Sequence, residues 1–163
     1  MFKKILIANR GEIAVRIIRA CKEYGISTVA VHSDVDKESM HVRMADESVC
    51  IGSHQPANSY LNIPAIMSAI EITNSEAVHP GYGFLSENAN FVRVLEENNI
   101  KFIGASSKLI EMMGDKIQAK KIAKENGLPV IEGSEGGVKN INQAKELCKK
   151  IGFPVLIKAS GGG

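Results

Sequence analysis

The chain has 163 residues, 44% of them hydrophobic, and a formal net charge of +2. That is enough for one domain, or one domain and part of a second. No apolar run approaches the roughly 18 residues of a membrane span, and no signal peptide is seen, so a soluble, intracellular protein is expected. The charge is uneven: residues 1–113 carry 11 Lys/Arg against 13 Asp/Glu, and residues 114–163 carry 9 Lys against 5 acids. The basic part has no Trp or Tyr on which a base could stack, which argues against a nucleic-acid face and leaves phosphate of some other kind as the better partner. Cys21, Cys50 and Cys148 lie far apart with no C-x-x-C, so neither a zinc site nor a disulfide framework is expected. Buried thiols in a reducing, cytoplasmic compartment are expected instead.

The opening Lys3–Gly25 reads as strand, tight loop, helix. Lys3 to Ala8 is an apolar, Ile-rich run suited to a buried parallel strand. Glu12 to Tyr24 follows with Ile13, Ile17, Ala20 and Tyr24 at helical spacing. The loop between them has one glycine and an acid rather than G-x-G-x-x-G, so it is expected to be a scaffold turn and not a phosphate site. Strands are predicted over Ser27–His32, Ser48–Ile51, Ala77–His79 and Lys101–Ile103. Between them fall a short helix near His41–Ala45, a helix capped by Asn62 with Pro64 in its first turn, and a helix over Ser86–Glu97 capped by Ser86. Strands alternating with helices imply βα units and a doubly wound, mostly parallel sheet, an α/β fold. Ligands of such folds sit beyond the carboxyl ends of the strands. Four segments fall there: Ala8–Glu12, Ser33–Lys37, Gly52–Tyr60 and Pro80–Asn90.

Composition shifts near Gly114. Asp115 caps a predicted helix through Glu125, a Gly-rich polar loop covers residues 132–140, a helix covers Asn142–Ile151, and a strand is predicted over Phe153–Ile157. The chain then reads Lys158-Ala159-Ser160-Gly161-Gly162-Gly163, which suggests a piece cut inside a glycine-rich loop. The domains expected are 1–113 and 114–163.

Four features carry candidate chemistry. In HPGYGFLSENANF (His79–Phe91), glycines flank Tyr82, so the backbone can turn sharply and approach another body. Tyr82 and Glu87 either face a cleft, or serve to cover a domain joint and to tune a helix N-terminus. Lys116 stands in the first turn of its helix, where a cation opposes the helix dipole, which makes sense beside an anion; Lys120 and Lys124 extend a basic stripe. Lys158 precedes a glycine run whose amides can grip polyphosphate, although no Walker A loop is present. Arg16, Arg19 and Glu23, with Glu12, form a mixed-charge stripe on the first helix, able to face solvent or its own copy across a twofold axis. The four histidines are dispersed, and no metal site is expected among these residues.

Taken together, ILIANRGEIAVRIIRACKEYGI, ADESVCIG, SYLNIPAI, HPGYGFLSENANF, FIGAS, MGDK and FPVLIKASGGG closely resemble biotin carboxylase, the ATP-dependent component of acetyl-CoA, pyruvate and propionyl-CoA carboxylases. The resemblance covers essentially the whole chain. It implies a Rossmann-like domain that precedes an ATP-grasp domain, the latter truncated at its start. It implies ATP contacts at Lys116 and Lys158 and a phosphate lid that includes Gly161, Gly162 and Gly163. Tyr82, Gly83 and Glu87 would face the active-site cleft, and Arg16, Arg19 and Glu23 would form a homodimer contact. The implied reaction joins ATP and bicarbonate through carboxyphosphate and carboxylates carrier-bound biotin. The implied partners are a biotin carboxyl carrier protein and a carboxyltransferase component. The Mg2+ or Mn2+ ligands and the catalytic residues would lie beyond residue 163, so these 163 residues by themselves are expected to be inactive, with feeble ATP affinity. A self-associating α/β binding module, or part of another ATP-grasp ligase, are the competing readings; the second does not account for HPGYGFLSENANF.

Overall fold

A computed structural model describes residues 1–159 except 132 and 135. The chain divides into two compact units, Met1–Ile110 and Glu111–Gly163. The first holds five parallel strands: β1 (Lys4–Ile7), β2 (Ser27–Ser33), β3 (Glu47–Gly52), β4 (Ala77–His79) and β5 (Lys101–Phe102). They are ordered β3-β2-β1-β4-β5, the doubly wound arrangement expected from the alternation of elements.

The alternating side-chain directions of β1 divide the core. Ile5 and Ile7 point to the face covered by α1 (Gly11–Glu23), where they meet Ala14, Ile17, Ile18, Cys21 and Ala77. Leu6 and Ala8 point the other way, toward α3 (Ile63–Thr73) and α4 (Ala89–Glu97), among Ile66, Ile70, Phe91, Val92 and Leu95. Phe91 packs edge-on against Phe102 with ring centroids 6.3 Å apart. A short α2 (Met40–Met44) lies in the β2–β3 connection.

Two of the predicted helix caps, Asn62 and Asp115, are in place. The Asn62 side chain accepts from Ala65 N at 3.1 Å and Pro64 stands in the first turn of α3. In the second unit, the Asp115 carboxylate accepts from Ile117 N and Gln118 N at 2.8 and 3.0 Å and starts α6 (Lys116–Glu125). Asn140 caps α7 (Ile141–Ile151).

Several expectations are corrected. The apolar face of α1 is Ala14, Val15, Ile17, Ile18 and Cys21, whereas Ala20 and Tyr24 are exposed. The sheet takes the stripe that includes the small residues Ala14 and Cys21, which lets the helix lie close to the strands. The fourth helix is capped by Asn88, which accepts from Phe91 N at 2.9 Å, and not by Ser86. Residues 83–86 are already used in a turn closed by Ser86 N on Gly83 O, with Phe84 at φ +42°, so the helix starts three residues later. A helix α5 (Ser107–Gly114) follows β5, in a stretch where no element is predicted above. Phe153–Ile157 forms no strand, and Phe153, Leu156 and Ile157 are exposed. A strand exists only against a hydrogen-bonded neighbour, and the second unit has no other strand among its described residues. Cys21 is buried, but Cys50 is exposed and Cys148 only half-buried.

Candidate functional site

The connection from β1 leads to β2 on one side, and β4 returns to β1 on the other, so the crevice outside the carboxyl ends of β1 and β4 is the switch point of the sheet. Asn9 stands there, 3% exposed, just past β1. Its Nδ2 donates to Pro80 O and to Tyr82 O, both at 2.7 Å, and its Oδ1 accepts from Arg10 N at 2.8 Å. The turn it holds has Gly81 at φ +64°, and a Cβ at that position would lie 2.8 Å from Asn9 Nδ2 and 3.1 Å from Ile13 Cγ1. Gly81 is therefore needed both for its backbone angle and for the close approach. Gly83 repeats the positive φ at +68° and, like Tyr82, is exposed. Tyr82 Oη donates to Glu12 Oε1 at 2.6 Å, and this bond to a carboxylate holds the phenol's pKa above its ordinary value. Glu87 is exposed on the same turn, ahead of the Asn88 cap.

Beside this turn lies a second cluster that the sequence does not single out residue by residue. Arg10 Nη2 meets Asp36 Oδ1 at 2.7 Å. Tyr60 Oη and Ser33 Oγ donate to Asp36 Oδ2 at 2.7 and 3.0 Å, and Ser33 N donates to Tyr60 Oη at 3.0 Å. The Arg10 guanidinium also lies 5.7 Å from the Tyr60 ring centroid, and that ring stacks on Phe84 at 5.1 Å. Burial alone would push the Asp36 carboxyl up, but hydrogen bonds from Arg10, Tyr60 and Ser33 outweigh it and hold the group at about 2. Burial first, and then the Asp36 bond, push the Tyr60 phenol up to about 12. The four segments expected at the carboxyl ends are thus joined through Arg10, Asp36, Tyr60 and the Tyr82 turn. What pointed to the cluster was their shared position; which side chains would pair was not in the local pattern.

In the second unit, Lys116 opens α6 and its Nζ donates to Ala159 O at 3.3 Å, next to the exposed Lys158. Lys120 Nζ approaches Gly133 so closely that a Cβ there would lie 2.9 Å away. Gly161, Gly162 and Gly163 lie outside the described residues. On α1, Arg16, Arg19 and Glu23 are all exposed, on the side away from the sheet. A hollow of about 550 Å³ in the first unit lies between α3 and α4 at the amino ends of β4 and β5, opposite the end that carries these polar residues. Among the described residues no three His, Cys, Asp or Glu side chains come together to hold a metal ion, and no helix is long and apolar enough to cross a membrane.

Residues 1–110 match the biotin carboxylase N-terminal domain, and residues 115–163 match the carbamoyl-phosphate synthase L chain ATP-binding domain. This chain belongs to the biotin carboxylase family. Among proteins similar to it, the biotin carboxylase of Haemophilus influenzae is 56% identical over 164 residues, covering 100% of this chain and 37% of that protein. The mitochondrial propionyl-CoA carboxylase alpha chain of Homo sapiens is 55% identical over 99% of this chain and 22% of its own length. Among solved structures, a biotin carboxylase from Campylobacter jejuni in complex with a β,γ-ATP ligand superposes with a TM-score of 0.95 at 50% identity, covering 100% of this chain and 36% of that one. The biotin carboxylase domain dimer of Hydrogenobacter thermophilus 2-oxoglutarate carboxylase, solved with MgADP, ADP and bicarbonate, superposes at 0.93 with 52% identity and the same coverage. The chain therefore spans about a third of the length of the biotin carboxylases it matches. Its α/β architecture is theirs: the doubly wound sheet of the biotin carboxylase N-terminal domain, followed by an ATP-grasp segment.

Proposed function

We propose that this chain forms the N-terminal part of an ATP-dependent biotin carboxylase, a ligase that carboxylates carrier-bound biotin with bicarbonate through carboxyphosphate. The observation that carries the reading is continuous similarity above 50% identity along the whole chain, across both the scaffold and the ATP-binding segment. Domains at 1–113 and 114–163 suit that layout. Lys116 and Lys158 are the ATP contacts in this reading, supported by the Lys116 bond to Ala159, which brings the two lysine-bearing segments together. Gly161, Gly162 and Gly163 belong to the phosphate lid. Two lysines on ATP phosphates neutralise charge without proton transfer, which suits binding and electrostatic assistance more than acid–base work. Mg2+ would be held by residues other than those described here, and it supplies charge neutralisation on the phosphates.

Tyr82, Gly83 and Glu87 face the substrate cleft in this reading, since they occupy the sheet's switch point. Arg16, Arg19 and Glu23 form a self-association surface; their joint exposure supports it, as does the dimer named for the Hydrogenobacter thermophilus domain. The partners are a biotin carboxyl carrier protein and a carboxyltransferase component. The three free cysteines suit a reducing, cytoplasmic compartment.

The test is kinetic. In the carboxylase that carries this chain, Lys116→Ala and Lys158→Ala should each lower kcat/KM for ATP by about 10- to 100-fold. The 163-residue chain by itself should turn over no ATP, and easily measurable hydrolysis by it would overturn that expectation. Arg19→Glu should weaken dimers in sedimentation, and an unchanged profile in a dimeric parent would remove the stripe from the interface.

A further inference from the structure

Two side chains of the opening turn spend their hydrogen bonds on the turn after β4, and nucleotide contacts at Lys116 and Lys158 give them no role. Asn9 is buried and donates to both Pro80 O and Tyr82 O while accepting from Arg10 N. Only a side-chain amide offers two donors and an acceptor in that geometry. Glu12, in the first turn of α1, takes the Tyr82 hydroxyl at 2.6 Å. The Tyr82 ring is 60% exposed, so packing alone does not fix it; the bond to a carboxylate, stronger than a neutral one, sets its direction. Gly81, between the two anchored carbonyls, admits no side chain. The turn is thus held at its backbone by Asn9, from the β1–α1 connection, and at its tip by Glu12, from the first turn of α1.

We propose that Asn9 and Glu12 are positioning residues for the Tyr82 turn, Asn9 fixing its backbone and Glu12 aiming its phenol. This rests on the reading that Tyr82 and Gly83 face substrate. It gives the β1–α1 loop, which lacks phosphate-binding glycines, and the first turn of α1 a task that their residues fit: together they carry the bracket for the neighbouring loop. The charged groups that act on the phenol are Glu12 and Arg16, both from α1.

The chain has three tyrosines and no tryptophan, so tyrosinate absorbance reports the phenols directly. In a Tyr24→Phe background, Glu12→Gln should bring the Tyr82 titration down toward its ordinary value while Tyr60 stays at about 12. Asn9→Asp would place a carboxylate against two carbonyl oxygens, so amide exchange at Gly81 and Gly83 should rise by about ten-fold or more, increasingly as pH rises. In the carboxylase that carries this chain, both variants should lower kcat/KM by about ten-fold, up to about 100-fold for a misplacement near 1 Å. For Asn9→Asp the loss should deepen with pH. A Glu12→Gln chain that leaves both the Tyr82 titration and the turn's exchange unchanged overturns the proposal, even if Asn9→Asp does not fold. Turnover lowered by Tyr82→Phe but by neither positioning variant overturns it as well. Turnover unchanged by Tyr82→Phe removes the substrate-facing reading, and the functional half of the proposal with it.

Discussion

The two units of this chain are held by different physics. Met1–Ile110 packs two apolar layers on a parallel sheet, with Leu6, Ile7, Ile18 and Phe91 fully enclosed. The described residues of Glu111–Gly163 form capped helices, yet neither α6 nor α7 buries a single side chain. In the first unit, close packing specifies the fold and fixes the polar residues at the strand ends. In the second, local helix signals and lysine charge dominate. The difference locates where a substitution will be felt, and the following experiments can break or sharpen it.

The largest effect belongs to the core. Phe91→Ala should cost about 3–5 kcal/mol of unfolding free energy, whereas Leu156→Ala, at an exposed site, should stay within about 0.5 kcal/mol. Comparable costs in denaturant titrations would erase the contrast. Next comes Asp36. Its folded pKa of about 2 lies below the ordinary 3.8, so its contribution is present above pH 3.8 and is lost as pH falls toward 2. The shift corresponds to about 2 kcal/mol. Asp36→Asn should abolish that acid-dependent loss, and should also destabilise at neutral pH by about 2 kcal/mol, because the buried Tyr60 and Ser33 hydroxyls lose the carboxylate that accepts from them.

A smaller pH effect of the same sign, in a higher pH window, comes from His41. It is buried with Nδ1 unpartnered, and burial lowers its pKa. The unfolded chain therefore binds its proton first, so stability falls as pH drops below about 6.5. His41→Gln should flatten the melting temperature over that window; a slope unchanged in the variant would assign it to another group, such as His79, whose pKa burial also lowers. The smallest global effect should follow Asp115→Ala. It removes a cap worth about 1 kcal/mol to its helix, and should speed amide exchange across Lys116–Glu125 without moving the main unfolding transition. A coincident shift of the main transition would mean that the two units unfold as one.

Much of this was legible from residue order. Strand and helix alternation is a local signal of period two and 3.6, and β1 to β5 emerge close to their predicted places. Caps such as Asn62 and Asp115 are equally local, because one side chain bonds amides two or three residues on. The errors came where a local pattern had more than one solution. Ser86 and Asn88 are both good caps, and the turn around Phe84 decided between them. Phe153–Ile157 has strand composition, but composition cannot supply a neighbour to pair with.

The motif HPGYGFLSENANF, the lysines and the family they point to could be read from the chain alone, since they depend on residue identity and spacing. The partners of those residues could not. Asp36 meets Arg10 across 26 positions, Asn9 reaches Pro80 across 71 and Glu12 reaches Tyr82 across 70. Those pairings exist because β1 lies between β2 and β4, which brings the carboxyl ends of distant segments to one crevice. Periodicity and composition record what each segment prefers; only the assembled sheet decides which segments share an edge.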